Sequence, residues 1–302
     1  MNIAILGVGG VGGYLAAQLS KDKSINLYLL ARGEHLKKIR DNGLIYESKK
    51  ETLKIIPKIV TDNSEEFPEL DIIFMCTKSY DIESSIKNIE NKLTENTRII
   101  PLLNGIDIYE RIRLITKKGI ILPGCFFIFS YIKEPGVIKH EGSYAKLIFG
   151  KEKSEKDVKN DDFLAVLDKI KINYEYLESG VEINIWKKFL LISTFAMMTA
   201  SENKSFGQLL ENPELYNKII KILEEIAALG KRKGIDLPET AIEDTIKIAR
   251  ESHYSSYTSF WRDYQTPNKP NEKETLINAI ILLGKEIGVP TPMVESIYSK
   301  LK

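Results

Sequence analysis

Cysteine and histidine are both scarce in this chain of 302 residues: two cysteines, Cys76 and Cys125, and three histidines, His35, His140 and His253. Both cysteines lie within apolar runs, so neither a disulfide framework nor a Cys/His metal cluster can be assembled. Net charge is also lacking, because 43 Lys and Arg offset 42 Asp and Glu to leave +1. That balance supplies no electrostatic pull toward nucleic acid or an anionic membrane surface, and neither is expected as a partner. Long hydrophobic runs are missing as well, since the stretches 120–132 and 189–200 are too short or too interrupted to span a bilayer. The first residues pass straight into a strand pattern, leaving no room for a signal peptide, so a cytoplasmic protein is expected. What remains is a globular composition, 43% apolar and 28% charged, long enough for two domains.

What is present begins at the N-terminus. Asn2–Leu6 is a short apolar run that stops at a glycine. The glycines then fall as G-x-G-x-x-G at Gly7, Gly9 and Gly12, and a helix-like segment, Tyr14–Lys21, follows. Gly7 permits a tight turn out of the strand, Gly9 lets backbone approach a pyrophosphate, and Gly12 lets the helix pack close to a sheet. Phosphate oxygens would then lie over Gly7, Val8, Gly9, Gly10, Val11 and Gly12, against the N–H groups and positive dipole end of the helix. The strand before and helix after favour this Rossmann-type dinucleotide reading over a glycine-rich turn with no ligand. The next strand, Ile25–Ala31, ends at Arg32-Gly33 with no carboxylate before Glu34. In NAD-binding proteins an acid near that point bonds the ribose 2′-hydroxyl. Arg32 is either a solvated residue leaving the strand or a planar fork for a 2′-phosphate, and the missing acid makes NADP(H) the expected cofactor.

Strand and helix patterns alternate through the first half. Residues 71–77 read as a buried strand, 82–93 as an amphipathic helix and 98–103 as a strand ending at Asn104-Gly105, which predicts a mainly parallel sheet covered on both faces. Residues 43–60 carry two β-like runs and predict a small antiparallel insertion. Residues 119–131 and 137–149 read as two further strands joined at Glu134-Pro-Gly136. After the charged stretch 151–162 come one more helix and a short run at 174–177. Beyond Gly180 the character changes, and residues 182–200, 213–230, 238–264 and 272–288 all read as helices. The expectation is an α/β, Rossmann-type NADP-binding domain over residues 1–179 and an all-helical substrate domain over 180–302.

A nicotinamide domain joined to a helical one suggests a reductase with its substrate in the cleft between them. Hydride addition to a carbonyl develops an alkoxide, which needs a proton donor, and with few histidines a lysine is the natural candidate. Lys78 follows the strand at 71–77, at the strand end where open α/β sheets bind ligands. Lys188 precedes the apolar run 189–200, and its plain alternative is one more solvated lysine beside Lys187. Asn104-Gly105 is also an ordinary turn signal. Asn271-Glu-Lys-Glu274 also reads as an N-cap with a capping box. Ser259 reads as a mid-helix serine among Tyr257, Phe260 and Trp261.

Taken in order along nearly the whole chain, these segments resemble the ketopantoate reductases (2-dehydropantoate 2-reductases). The resemblance rests on Gly7-Val-Gly9-Gly-Val-Gly12, Arg32 at the second strand's end, Thr77-Lys78, Leu103-Asn104-Gly105 and Gly136-Val-Ile-Lys-His140-Glu-Gly142. It continues through Ile185-Trp186-Lys187-Lys188-Phe189, similar to a W-x-K-[LF] segment, Ser259-Phe-Trp-Arg-Asp263, similar to S-M-x-x-D, Glu272 with Glu274 near a T-E-I-D segment, and Gly288-Val-Pro290-Thr-Pro292. It implies a helical second domain of the 6-phosphogluconate dehydrogenase C-terminal type and NADPH-dependent reduction of 2-dehydropantoate to D-pantoate in pantothenate and coenzyme A synthesis. Lys188 is implied as general acid, and Asn104, Ser259 and Glu272 as substrate-binding residues. Asn104 and Lys78 are further implied beside the cofactor, and the family is the one ground for expecting a homodimer.

The chain departs from the family pattern at three places. Asparagines four and eight residues after the lysine are Ile192 and Ala196 here, the threonine before the glutamate is Asn271, and the segment between Asp263 and Glu272 is one residue longer. Ile and Ala offer no hydrogen bond, and a polar substrate group left unpaired against them would cost about 1–3 kcal/mol. Three functions therefore stand side by side: a true ketopantoate reductase, a reductase of a different and less polar 2-oxo acid, and a non-catalytic NADP-binding regulator. Retention of Lys188, Asn104, Ser259 and Glu272 together favours an enzyme.

Overall fold

A computed structural model describes residues 1–152 and 159–301. The chain opens with β1 (Asn2–Leu6), whose last four residues are wholly buried. A central strand of a parallel sheet is covered on both faces, so it needs a continuous apolar run rather than an alternating one. Ile3 and Ile5 enter one core with Leu15 and Leu29, while Ala4 and Leu6 enter a second with Phe67 and Ile73. β1 is flanked by β2 (Asn26–Leu30) and β6 (Ile72–Met75). The sheet continues through β5 (Ile59–Thr61) on one side and β7 (Arg98–Pro101) and β8 (Ile120–Ile121) on the other, every pairing parallel. The order β5-β2-β1-β6-β7-β8 is that of a doubly wound dinucleotide-binding sheet, with its reversal beside β1. Helices α1 (Gly10–Leu19), α2 (Gly33–Asn42), α3 (Ile82–Ile89) and α4 (Ile108–Ile115) lie between successive segments.

The two β-like runs of residues 43–60 form the antiparallel pair β3 (Leu44–Glu47) and β4 (Thr52–Ile55), and this pair belongs to a second sheet. Its frame is the long hairpin β9 (Gly124–Glu134) and β10 (Val137–Gly150). β10 pairs with β3 through Val137–Lys139 and with β11 (Tyr174–Leu177) through Leu147–Gly150, both in parallel. Helix α5 (Asp161–Lys169) precedes β11. Residues 153–158 of the charged stretch lie outside the described residues. α1 packs against strands of both sheets and is buried continuously from Gly12 to Leu19. A helix enclosed in this way is apolar all round, so its periodicity is weak. That weakness, with glycine's poor helix propensity, places the expected start at Tyr14, although the helix begins at Gly10.

By their contacts the residues fall into two units, Met1–Leu103 with Asp107–Val181, and Asn104–Ile106 with Glu182–Lys302. The second is helical: α6 (Val181–Glu202), α7 (Phe206–Glu211), α8 (Pro213–Arg232), α9 (Ala241–Glu251), α10 (Ser259–Tyr264), α11 (Ala279–Ile287) and α12 (Pro292–Lys300). Starts follow capping chemistry. Asn212 Oδ1 accepts from Leu215 N at 3.0 Å before Pro213 opens α8, and Ser205 and Gln208 form a capping box on α7. The single helix expected over 238–264 is two helices. The carbonyls of Tyr254 and Ser256 accept from Gly207 and Phe206 N–H, both at 3.0 Å, and His253 Nδ1 takes the Ser255 hydroxyl at 2.9 Å. Backbone and side-chain groups committed there cannot also form a helical ladder. The helix expected over 272–288 opens as one π-helical turn, Glu274–Asn278, before α11.

Asp22, in the turn after α1, ties that helix to α5. Its buried carboxylate accepts from Lys169 Nζ at 2.8 Å and from Ser24 N and Oγ at 3.0 and 2.8 Å. The lysine bond first, then the serine bonds, lower its pKa from 3.8 to about 2. A depressed carboxylate pKa stabilises the fold above the unfolded value and loses that contribution as pH falls through the folded one. Asp22→Asn is therefore expected to destabilise the protein by about 1–2 kcal/mol at neutral pH, a charge-assisted bond's worth. Urea unfolding should show this gap closing between pH 3.8 and about 2.

Candidate active site

The glycine-rich turn is built by steric necessity. Gly7 leaves β1 at φ +91°, and a Cβ there would lie 2.8 Å from the Cys76 carbonyl oxygen and 2.9 Å from Thr77 N. β1 and the end of β6 can run side by side only because that atom is missing. A Cβ on Gly12 would lie 2.1 Å from the Gly7 carbonyl oxygen, and one on Gly10 would lie 2.0 Å from the Ser130 carbonyl oxygen of β9. Gly9 differs, because a Cβ there would meet nothing within 4 Å. Gly9 is the N-cap of α1, with no side-chain cap and no acidic residue in the first turn. The backbone N–H groups of Gly10, Val11 and Gly12 are the first of the helix and have no partner within it, and the open position of the turn is Gly9 itself. Val8 is buried within the turn. Among the described residues no His/Cys/Asp/Glu cluster could hold a metal ion.

Arg32 is the N-cap of α2. Its guanidinium is 75% exposed and donates to Asp81 Oδ2 at 2.9 Å. Asp81 belongs to a distant segment, the 3-10 turn Ser79–Asp81. Lys78 caps that turn from a half-buried position in extended backbone, just past β6. The Thr77 hydroxyl beside it is buried without a hydrogen-bond partner.

In the helical unit, Lys188 is 9% exposed, so it is not a solvated twin of Lys187. Residues two apart on a helix point about 200° apart. Trp186 lies against Gly230 of α8, where an added Cβ would meet its ring at 3.0 Å, and Lys188 faces the other way. The lysine's own face continues four, eight and eleven residues on with Ile192, Ala196 and Thr199. Thr199 Oγ1 bonds Thr258 Oγ1 at 2.9 Å, and Trp261 Nε1 donates to Asn203 Oδ1 at 3.0 Å, so the end of α6 is stitched to the start of α10. Ser259 is the exposed first residue of α10 rather than a mid-helix serine, because Thr258 caps that helix by accepting from Trp261 N at 3.1 Å. Glu272 is buried, just before the π-helical turn. The capping box expected at Asn271 does not form. Glu274 accepts from Asn278 at 2.7 Å and from the Tyr298 hydroxyl at 3.0 Å, and Asn271 Oδ1 accepts from Lys273 N at 3.1 Å. Asn104 is half-buried, and Gly105 after it is at φ +141°. Asn104 groups with Lys188, Ser259 and Glu272 in the helical unit, whereas the glycines, Arg32 and Lys78 belong to the first.

Two family models match the chain, ketopantoate reductase PanE/ApbA over residues 3–154 and its C-terminal counterpart over residues 181–302. The chain belongs to the ketopantoate reductase family. These are oxidoreductases acting on a CH–OH group, and they use NADPH. Among curated relatives, an uncharacterized oxidoreductase of Bacillus subtilis, YkpB, is 24% identical over 100% of this chain and 98% of its own. A 2-dehydropantoate 2-reductase of Streptococcus pyogenes is 23% identical over 97% of this chain and 94% of its own. Among solved structures, a 2-dehydropantoate 2-reductase from Porphyromonas gingivalis is 29% identical with a TM-score of 0.84, covering 100% of this chain and 99% of that one. A D-mandelate dehydrogenase solved with NADH and anilino(oxo)acetate shares the fold at a TM-score of 0.87 and 20% identity, over 100% and 97% of the two chains. The contacts that the sequence does not signal are the long-range ones. Asp81 on Arg32, Thr258 on Thr199 and Ser130 on Gly10 leave no local pattern.

Proposed function

We propose that this ketopantoate reductase family member reduces 2-dehydropantoate to D-pantoate with NADPH, residues 1–179 holding the cofactor and residues 180–302 acting on the substrate. The observation that carries the reading is the burial of Lys188, at 9% exposure, on the α6 face opposite Trp186. Gly7, Val8, Gly9, Gly10, Val11 and Gly12 hold the pyrophosphate, Arg32 the 2′-phosphate, and Lys78 and Asn104 the nicotinamide-side ribose. When bound, the reduced nicotinamide supplies a hydride. As C2 of the 2-oxo acid gains it, the C=O π pair moves onto oxygen, and Lys188 Nζ gives that oxygen its proton. Water then reprotonates the lysine. In a desolvated position an ammonium's bond to a developing oxyanion is worth more than in water. Asn104 orients the substrate, Ser259 bonds its carboxylate, and Glu272 accepts from its hydroxyl.

A second reading keeps the chemistry and changes the substrate to a less polar 2-oxo acid. Ile192 and Ala196 favour it, because the lysine's own helical face then turns apolar for two turns.

Lys188→Ala should lower kcat by about 10²–10⁴-fold while NADPH still binds. Unchanged turnover would contradict the role. Arg32→Ala should weaken NADPH by about 10–100-fold, the loss of a charge-assisted contact, and NADH much less. Equal losses, measured by fluorescence titration, would remove the 2′-phosphate assignment.

A further inference from the structure

His35 lies in the first turn of α2 and has no part in the reduction as proposed, yet both of its ring nitrogens are engaged. Nε2 lies 2.8 Å from the Val8 carbonyl oxygen, and the Gly136 N–H meets Nδ1 at 2.9 Å. A backbone N–H can only donate and a carbonyl can only accept. Nδ1 is therefore the bare nitrogen and Nε2 carries the proton, so the two partners select one neutral tautomer. Burial also lowers the imidazole's pKa, with the Val8 bond opposing.

The partners are 27 and 101 residues away in sequence. Val8 is the residue between the first two glycines of the turn, and Gly136 is the turn of the β9–β10 hairpin. That hairpin turn sits hard on α2, since a Cβ on Gly136 would lie 2.8 Å from Lys38 Cβ. The imidazole thus bridges the glycine-rich turn and the hairpin. A trans peptide is planar, with its C=O and N–H pointing to opposite sides. Holding the Val8 carbonyl at His35 therefore turns the N–H of the same peptide, that of Gly9, the other way. Gly9 is the position whose surroundings are open.

We propose that His35 is a positioning residue for the dinucleotide, acting through the Val8–Gly9 peptide to aim the Gly9 N–H at the pyrophosphate. The proposal rests on the cofactor reading above. Two substitutions separate the two bonds of the ring. His35→Gln can place an amide N–H where Nε2 stands and keep the Val8 bond. His35→Asn can place an oxygen where Nδ1 stands and keep only the Gly136 bond. NADPH titration by nicotinamide fluorescence should give a Kd within about 3-fold of wild type for Gln and about 10-fold weaker for Asn and for His35→Ala, roughly one hydrogen bond. Unfolding midpoints without cofactor should not follow that ranking. Wild-type Kd values in all three variants, or equal losses in Gln and Asn, would overturn the role of His35 alone. A wild-type protein that binds neither NADPH nor NADH would overturn the cofactor reading and the proposal with it.

Discussion

How closely α1 can approach the backbone around it governs the first unit. Gly10 meets the carbonyl of Ser130, Gly12 that of Gly7, and Gly13 the side chain of Ile138, at separations no Cβ could share. This contact brings the helix N-terminus to the mouth of β1 and presses the β9–β10 hairpin onto it. Interiors are packed too densely to absorb an extra methyl group at such points. The glycines therefore serve two ends. Gly9 leaves room for a ligand, and its neighbours remove room from between the elements that frame it.

The four central strands of the parallel sheet were legible in the sequence because they read as apolar runs, whereas the short, partly exposed edge strands β5 and β8 fell at the ends of the runs 43–60 and 119–131. The dinucleotide fingerprint was legible because it is local, a strand, a turn and a helix within residues 2–19. The second sheet was legible only as separate pieces, an antiparallel pair, a hairpin and a short run. Its assembly depends on β10 pairing with β3, some ninety residues earlier, and with β11, and no local pattern encodes such partners. The break between α9 and α10 was hidden for a similar reason, since the carbonyls of Tyr254 and Ser256 are claimed by the start of α7.

The candidate site divides along the same line. Lys188 stood out through its W-x-K setting, and it is buried on the α6 face opposite Trp186. Ser259 and Glu272 were placed by family resemblance, and their local contexts differ from those that residue patterns suggest. Ser259 opens a helix, and Glu272 is buried ahead of a π-helical turn, a feature often found where a helix carries function. Arg32 was legible as a cation at a strand end. Its carboxylate partner Asp81 was not, because the two are 49 residues apart.

Membership of the ketopantoate reductase family fixes the class of chemistry, and the proposed substrate is what distinguishes the two readings of this chain. Initial rates of NADPH oxidation with 2-dehydropantoate and with a series of 2-oxo acids of decreasing polarity decide which substrate the enzyme takes. The expected result is oxidation that requires the 2-oxo acid, with the highest kcat/KM for 2-dehydropantoate. A higher kcat/KM for a less polar acid would contradict the substrate assignment, and no oxidation with any of them would contradict the enzyme reading itself.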